Sequence, residues 1–85
     1  MTTFFIQDIF NITGIGVVPV GQVKSGTLKI GMKLTLDGKT MGIKSIEMYH
    51  TPVKEAKEGD SVGITLTDGD LNLLKNYVRK TVEFI

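Results

Sequence analysis

His50 is the only imidazole in these 85 residues, and there is no cysteine. Hydrolysis by a nucleophile needs a base and an orienting group in register with it, and no serine or threonine near His50 stands in a nucleophile motif. A solvent-facing histidine is the simpler reading. Asp68-Gly69-Asp70 has the look of a calcium loop but lacks a third ligand and the distal glutamate, so a turn into a helix cap fits better. Glu55 and Glu58 lie among lysines in a turn-rich stretch, where solvated charges are far commoner than an acid and base pair. Gly16-Val-Val-Pro-Val-Gly21 has the glycine spacing of a phosphate loop, but Gln22 and Val23 occupy the places that need lysine and a hydroxyl. Gly14 and Gly16 do not extend to a dinucleotide fingerprint, because residue 19 is proline and the surroundings read as strands. No catalytic residue, metal ligand, GTP site or cofactor is expected.

The chemistry that remains is recognition. Phe10, Tyr49 and His50 offer planar faces for stacking, and Gln7, Asp8 and Glu47 offer hydrogen-bonding groups for base edges or hydroxyls. Composition alone favours Phe10 in the core with the polar residues facing solvent.

The elements that must position these residues read as extended chain. Leu28, Ile30, Met32, Leu34 and Leu36 share one parity over Thr27 to Asp37, and period two means a strand with one buried face. Asp37-Gly38 suits the positive φ angles of a tight hairpin, with Met41 and Ile43 resuming the alternation beyond it. The apolar parity then slips to Ile46 and Met48, which predicts a β-bulge around Lys44-Ser45. Phe4 to Ile12 and Ile15 to Lys24 read as two further strands about a Thr13-Gly14 turn. Pro19 lacks an amide donor and so belongs at an edge, a strand start or a bulge. Val62, Ile64 and Leu66 mark another strand after Glu58-Gly59-Asp60, and Val82 and Phe84 mark a terminal one. Only Asp70 to Tyr77 suggests a helix, with Asp70 as N-cap and Leu71, Leu74 and Val78 on one face. About six strands joined by short turns favour a closed barrel, since closure removes exposed edges.

Length and charge bound the rest. Eighty-five residues make a single domain with a modest core, and with 41% hydrophobic residues and no disulfide its stability must come from packing and strand pairing. The absence of cysteine and of a basic, apolar leader points to the cytoplasm, and no apolar run is long enough to span a membrane. A net charge of +1 argues against a broad electrostatic grip on nucleic acid. No DNA partner is expected, and any RNA contact must be local.

Several spaced motifs together resemble the second domain of the translational GTPases of the elongation factor Tu family. They are Ile6-Gln-Asp-Ile-Phe-Asn-Ile-Thr-Gly-Ile-Gly-Val-Val-Pro-Val-Gly-Gln-Val-Lys-Ser-Gly26, Leu28-Lys-Ile-Gly-Met32, Lys44-Ser-Ile-Glu-Met-Tyr-His50 and Glu58-Gly-Asp-Ser-Val-Gly63. The Gly16 to Gly21 stretch is closer to the archaeal and eukaryotic version. The resemblance implies an all-β fold, a small closed antiparallel Greek-key barrel of about six strands with a short helical turn near the C-terminus. It implies a non-enzymatic role in translation, binding a tRNA acceptor end or ribosomal RNA. It leaves open a protein-interaction role, in which the barrel docks on a translation factor or GTPase or on a second copy of itself.

Carried over residue by residue, the resemblance places Gln7, Asp8 and Phe10, with Val20 beside them, near an aminoacyl group. It places Glu47, Tyr49 and His50 against a terminal adenosine, and Ser61 and Gly63 on a loop framing the pocket. Gln7 is acidic and His50 is arginine in the bacterial factors, and both replacements recur in the archaeal and eukaryotic ones. Ser61 stands where the family has asparagine, and a hydroxyl cannot reproduce an amide that both donates and accepts. Lys75 to Lys80 replaces an Arg-Gly turn before the last strand. The GTPase domain and third domain that flank this barrel in the family are not represented in residues 1–85, so no GTP-driven switch is expected of this segment by itself.

Overall fold

A computed structural model describes all 85 residues. The chain forms nine strands and one short helix, in the order β1 (Thr2–Ile12), β2 (Gly16–Ser25), β3 (Thr27–Lys29), β4 (Lys33–Leu36), β5 (Lys39–Met48), β6 (Thr51–Val53), β7 (Glu55–Lys57), β8 (Ser61–Thr67), α1 (Leu71–Lys75) and β9 (Thr81–Phe84). All strand pairs are antiparallel. The main sheet runs β4-β5-β8-β2-β1-β9 with β6 appended to β5, and β3 pairs β7 in a separate two-stranded sheet. Because β3 to β7 intervene in sequence, β8 returns to lie beside β2, a Greek-key connection. The two ends of the path meet: Lys33 N–H donates to the Ile85 carbonyl at 2.7 Å and Ile85 N–H donates to the Lys33 carbonyl at 2.9 Å. The sheet is thereby a closed barrel of six antiparallel strands.

The core follows from alternation. Phe4 and Ile6 of β1, Val17 and Val23 of β2, Leu34 and Leu36 of β4, Met41, Ile43 and Ile46 of β5, Val62, Ile64 and Leu66 of β8 and Val82 and Phe84 of β9 all point inward and are buried. Phe4 and Phe84 meet edge to face, 6.3 Å between ring centres. Leu74 of α1 is fully buried, so the helical turn, which joins β8 to β9 in sequence and packs against β1, covers the core. Asp70 caps that turn by accepting from the Leu73 amide, as its position predicts, although the helix ends at Lys75 and not at Tyr77.

One expectation is corrected. The alternating run from Thr27 to Asp37 is not one strand: it breaks at Ile30-Gly31-Met32, where Gly31 adopts φ 94° and Ile30 is half exposed. β3 goes to β7 and β4 to β5. The apolar parity survives the break because Leu28 and Leu34 are both buried, which is why alternation alone does not reveal it.

Three register shifts interrupt the sheet, one of them between Thr3 and Phe4, and the other two are bulges that shape the outer surface of the barrel. The β1–β2 register passes from Ile6↔Gly21 to Asp8↔Val20, leaving Gln7 as the extra residue. The β5–β8 register passes from Ile43↔Leu66 to Ser45↔Thr65, leaving Lys44 as the extra residue. A bulge turns two consecutive residues to the same side. Gln7 and Asp8 both face outward, and so do Lys44 and Ser45. Pro19 is buried in β2 next to the first bulge, where pairing with β8 has ended at Val20, so its missing donor interrupts no ladder. No helix is long and apolar enough to cross a membrane.

Candidate functional site

The outer face of the barrel carries a groove of about 460 Å³ over strands β1, β2, β8 and the end of β5. Strand register builds it. Asp8↔Val20, Val20↔Gly63 and Gly63↔Glu47 align residues of four strands in one row, and Phe10↔Val18 forms the next row on β1 and β2. The floor is low at Gly63, which has no side chain to fill the space above β8. Phe10 and Val18 form one wall, while Glu47, Tyr49 and His50 form the other.

Tyr49 and His50 reach the groove through an unusual turn. Met48↔Thr51 is the last pair of the β5–β6 hairpin, so Tyr49-His50 is its two-residue loop. Both residues sit in the left-handed region, φ 54° and 64°. Hairpin loops of this kind favour Asn-Gly, because a Cβ makes positive φ costly. Two ring-bearing residues are held there instead, and Tyr49 is 87% exposed. Asp37-Gly38, by contrast, makes the equivalent turn between β4 and β5 with the residues expected for it, φ 50° and 83°.

Every residue that the sequence picks out for recognition, except Asp8, lines this one groove: Gln7, Phe10, Val20, Glu47, Tyr49, His50, Ser61 and Gly63. They come from four separate stretches of chain. Asp8 is exposed beside the groove, and its carboxylate accepts the Ile9 amide at 2.8 Å, which holds it against its own strand. Phe10 is 49% exposed, so the alternative that buries it in the core does not hold. Ile12, Val18, Gly21 and Val62 also line the groove and were not expected. They are placed by cross-strand register, which no local pattern in the sequence announces.

Glu47 and His50 are the groove's only charged or titratable side chains besides the exposed Tyr49 phenol, and no group of three or more His, Cys, Asp or Glu side chains gathers anywhere in the chain. What it presents is an apolar wall, two aromatic faces, a carboxylate, an amide and a hydroxyl.

Residues 16–75 match the family described as Elongation factor Tu domain 2. The chain belongs to that family. Among curated relatives, elongation factor 1-alpha of Archaeoglobus fulgidus is 46% identical over 63 residues, covering 72% of this chain. Elongation factor 1-alpha of Desulfurococcus mucosus is 48% identical over 63 residues, again 72% of this chain. The chain spans only 15% and 14% of the lengths of these two relatives. Among solved structures, translation elongation factor SelB from Methanococcus maripaludis in its apo form superposes with a TM-score of 0.80 at 26% identity, covering 95% of this chain and 17% of that one. A bacterial selenocysteine-specific elongation factor, EF-Sec, superposes with a TM-score of 0.74 at 23% identity, covering 84% of this chain and 12% of that one, and shares the fold. The elongation factor Tu domain 2 match ends at Lys75, so β9 completes the barrel with residues outside the matched stretch.

Proposed function

We propose that this barrel is a non-catalytic binding module of translation that works in the cytoplasm and takes the end of an RNA chain, a tRNA acceptor end in the first instance, in the groove between Phe10 and Tyr49. The observation that carries the reading is convergence. Gln7, Phe10, Val20, Glu47, Tyr49, His50, Ser61 and Gly63 are dispersed over 57 positions of sequence numbering yet share one outward-facing groove. Kinship with translation elongation factors supports a ligand from translation.

In this reading a terminal base lies against Phe10 and Tyr49, whose rings are exposed and available for stacking. Glu47 accepts from ribose hydroxyls. Gln7 and Ser61 provide the remaining polar contacts at the opposite side. The groove is shallow and one-sided, so affinity for an isolated terminus is modest, and a neighbouring domain or partner would raise it by enclosing the same end.

Titration of labelled aminoacyl-tRNA and deacylated tRNA into the purified protein at a stated, moderate salt tests this. Saturable binding is expected. Phe10→Ala and Tyr49→Ala should each weaken it by about 1–3 kcal/mol, the usual worth of a base stacked on an aromatic ring, with the fold intact by circular dichroism. No saturable binding of either RNA would sink the reading.

A further inference from the structure

Asp37-Gly38 and Asp68-Gly69 are the two places where an aspartate precedes a glycine. An aspartate so placed can turn its side chain on its own backbone, because glycine has no Cβ to shield the amide nitrogen that follows. Both aspartates sit in the left-handed region, φ 50° and 57°. Neither the Gly38 nor the Gly69 amide donates to a backbone carbonyl. The two sites are thus alike in sequence and in backbone.

They differ in what holds the carboxylate. Asp37 accepts from the Tyr77 hydroxyl at 3.2 Å. Asp8 accepts the Ile9 amide at 2.8 Å, Asp60 the Lys57 amide at 2.8 Å and Asp70 the Leu73 amide at 3.1 Å. Asp68 is exposed, and of the aspartates it alone has neither a hydrogen-bond donor nor an ion-pair partner, the ion pair with Lys39 going to Asp70. Its glycine is also fixed by packing, since a Cβ on Gly69 would lie 2.9 Å from the Val17 Cβ. Contact with β2 therefore requires at residue 69 the one amino acid that leaves Asp68 open to attack.

We propose that Asp68-Gly69 is a self-modification site, at which the folded chain converts its own main chain to a β-linked isoaspartyl bond. The Gly69 nitrogen attacks Cγ of the protonated Asp68 side chain, and the amide proton leaves with the carboxyl hydroxyl as water, closing a five-membered succinimide. Water then adds to the main-chain carbonyl carbon of Asp68 and breaks its bond to nitrogen. The chain now runs through Cγ, and the former main-chain carbonyl carbon is a free α-carboxylate, the group that isoaspartyl methyltransferases esterify. One water is lost and one gained, with no oxidation. The added main-chain carbon falls just ahead of the Asp70 cap, so reacted copies differ from fresh ones in the segment that carries Leu74 and β9.

The test is ageing of the purified protein at neutral pH, with tryptic peptides sampled over time and fragmented by electron transfer, which separates α from β linkage. Asp37 falls in Leu34 to Lys39 and Asp68 in Glu58 to Lys75, so the two are read independently. β linkage should appear first at Asp68 and roughly two- to tenfold more slowly at Asp37, the factor by which one side-chain hydrogen bond depletes the free carboxyl. Tyr77→Phe should raise the Asp37 rate by that factor and leave Asp68 as it was. Asp68→Gly, which keeps the positive φ, should remove most of the isoaspartate counted by enzymatic methylation with labelled S-adenosylmethionine. In urea the two native rates should converge. Asp68 as inert as Asp60 and Asp70, or no slower reaction at Asp37 in the folded protein, overturns the inference. A ratio that survives unfolding, or an Asp37 rate indifferent to Tyr77→Phe, would assign the difference to neighbouring residues in sequence and overturn it as well.

Discussion

Lys33 and Ile85 exchange both of their backbone hydrogen bonds, at 2.7 and 2.9 Å, and this single pair joins the first and last strands of the sheet path. Without it β4 and β9 would each present an open edge. Ile85→Pro removes one donor and adds a ring at the seam. The expected cost is about 1–3 kcal/mol, the loss of a backbone bond with some strain at the closure. A urea midpoint that falls accordingly, together with faster hydrogen exchange at the Lys33 amide, would bear this out, while an unchanged midpoint would show that closure contributes little.

Gly21 lies where β2 crosses the bulge of β1, in register with Ile6. A Cβ there would run into the carbonyl of Phe5 and lie 3.2 Å from the Gln7 amide. Backbone atoms cannot step aside as a flexible side chain can. Gly21→Ala should therefore destabilise by roughly 3 kcal/mol or more. Denaturant unfolding measures it, and a loss below roughly 1 kcal/mol would mean that the bulge relaxes.

The Tyr49-His50 turn holds two non-glycine residues at positive φ, a conformation that costs of order 1 kcal/mol each. Replacing the pair by the residues the turn prefers, Tyr49→Asn with His50→Gly, should raise stability by about 1–2 kcal/mol. The same double variant should lose most binding of adenosine, because both ring systems on that wall are gone. A variant that is more stable and still binds equally well would show that the aromatic turn has no part in recognition.

Asp70 is held below the usual carboxylate range, chiefly because its side chain accepts the Leu73 amide and also because Lys39 lies 3.5 Å away. A carboxylate with a lowered folded-state pKa adds stability above its unfolded value of about 3.9, and that stability disappears as pH falls through the folded value. The difference in urea midpoint between the native protein and Asp70→Asn should therefore be present at pH 6 and shrink to nothing well below pH 4. Asparagine keeps the capping oxygen, so the experiment isolates the charge. A difference that persists unchanged into strong acid would assign the effect to something other than ionisation.

Much of the barrel can be read before any coordinates are known, and the failures have physical causes. Asp37-Gly38 is a turn because those residues tolerate positive φ, and the bulge at Lys44 is visible because the apolar parity slips there. The break at Gly31 is hidden, since Leu28 and Leu34 keep the same parity on either side of it. The Tyr49-His50 turn is hidden for the opposite reason: neither residue carries a turn signal, and only the Met48↔Thr51 pairing exposes it. For the groove, residue types and family resemblance select eight positions that line it, whereas Val18 and Val62 depend on which strands become neighbours. Asp8 is selected but does not line the groove. The same bulge that turns Gln7 outward places it beside Asp8, and the Asp8 carboxylate is bound to the Ile9 amide.

Gly63 is the residue at which β8 changes partners, paired with Val20 of β2 on one side and Glu47 of β5 on the other. A methyl group built there meets Val18 and Val20 at 3.5 Å, ordinary contact that displaces nothing. One added carbon would raise the groove floor while leaving the barrel beneath it undisturbed, so Gly63→Ala is expected to fold and melt like the original with the space above β8 narrowed.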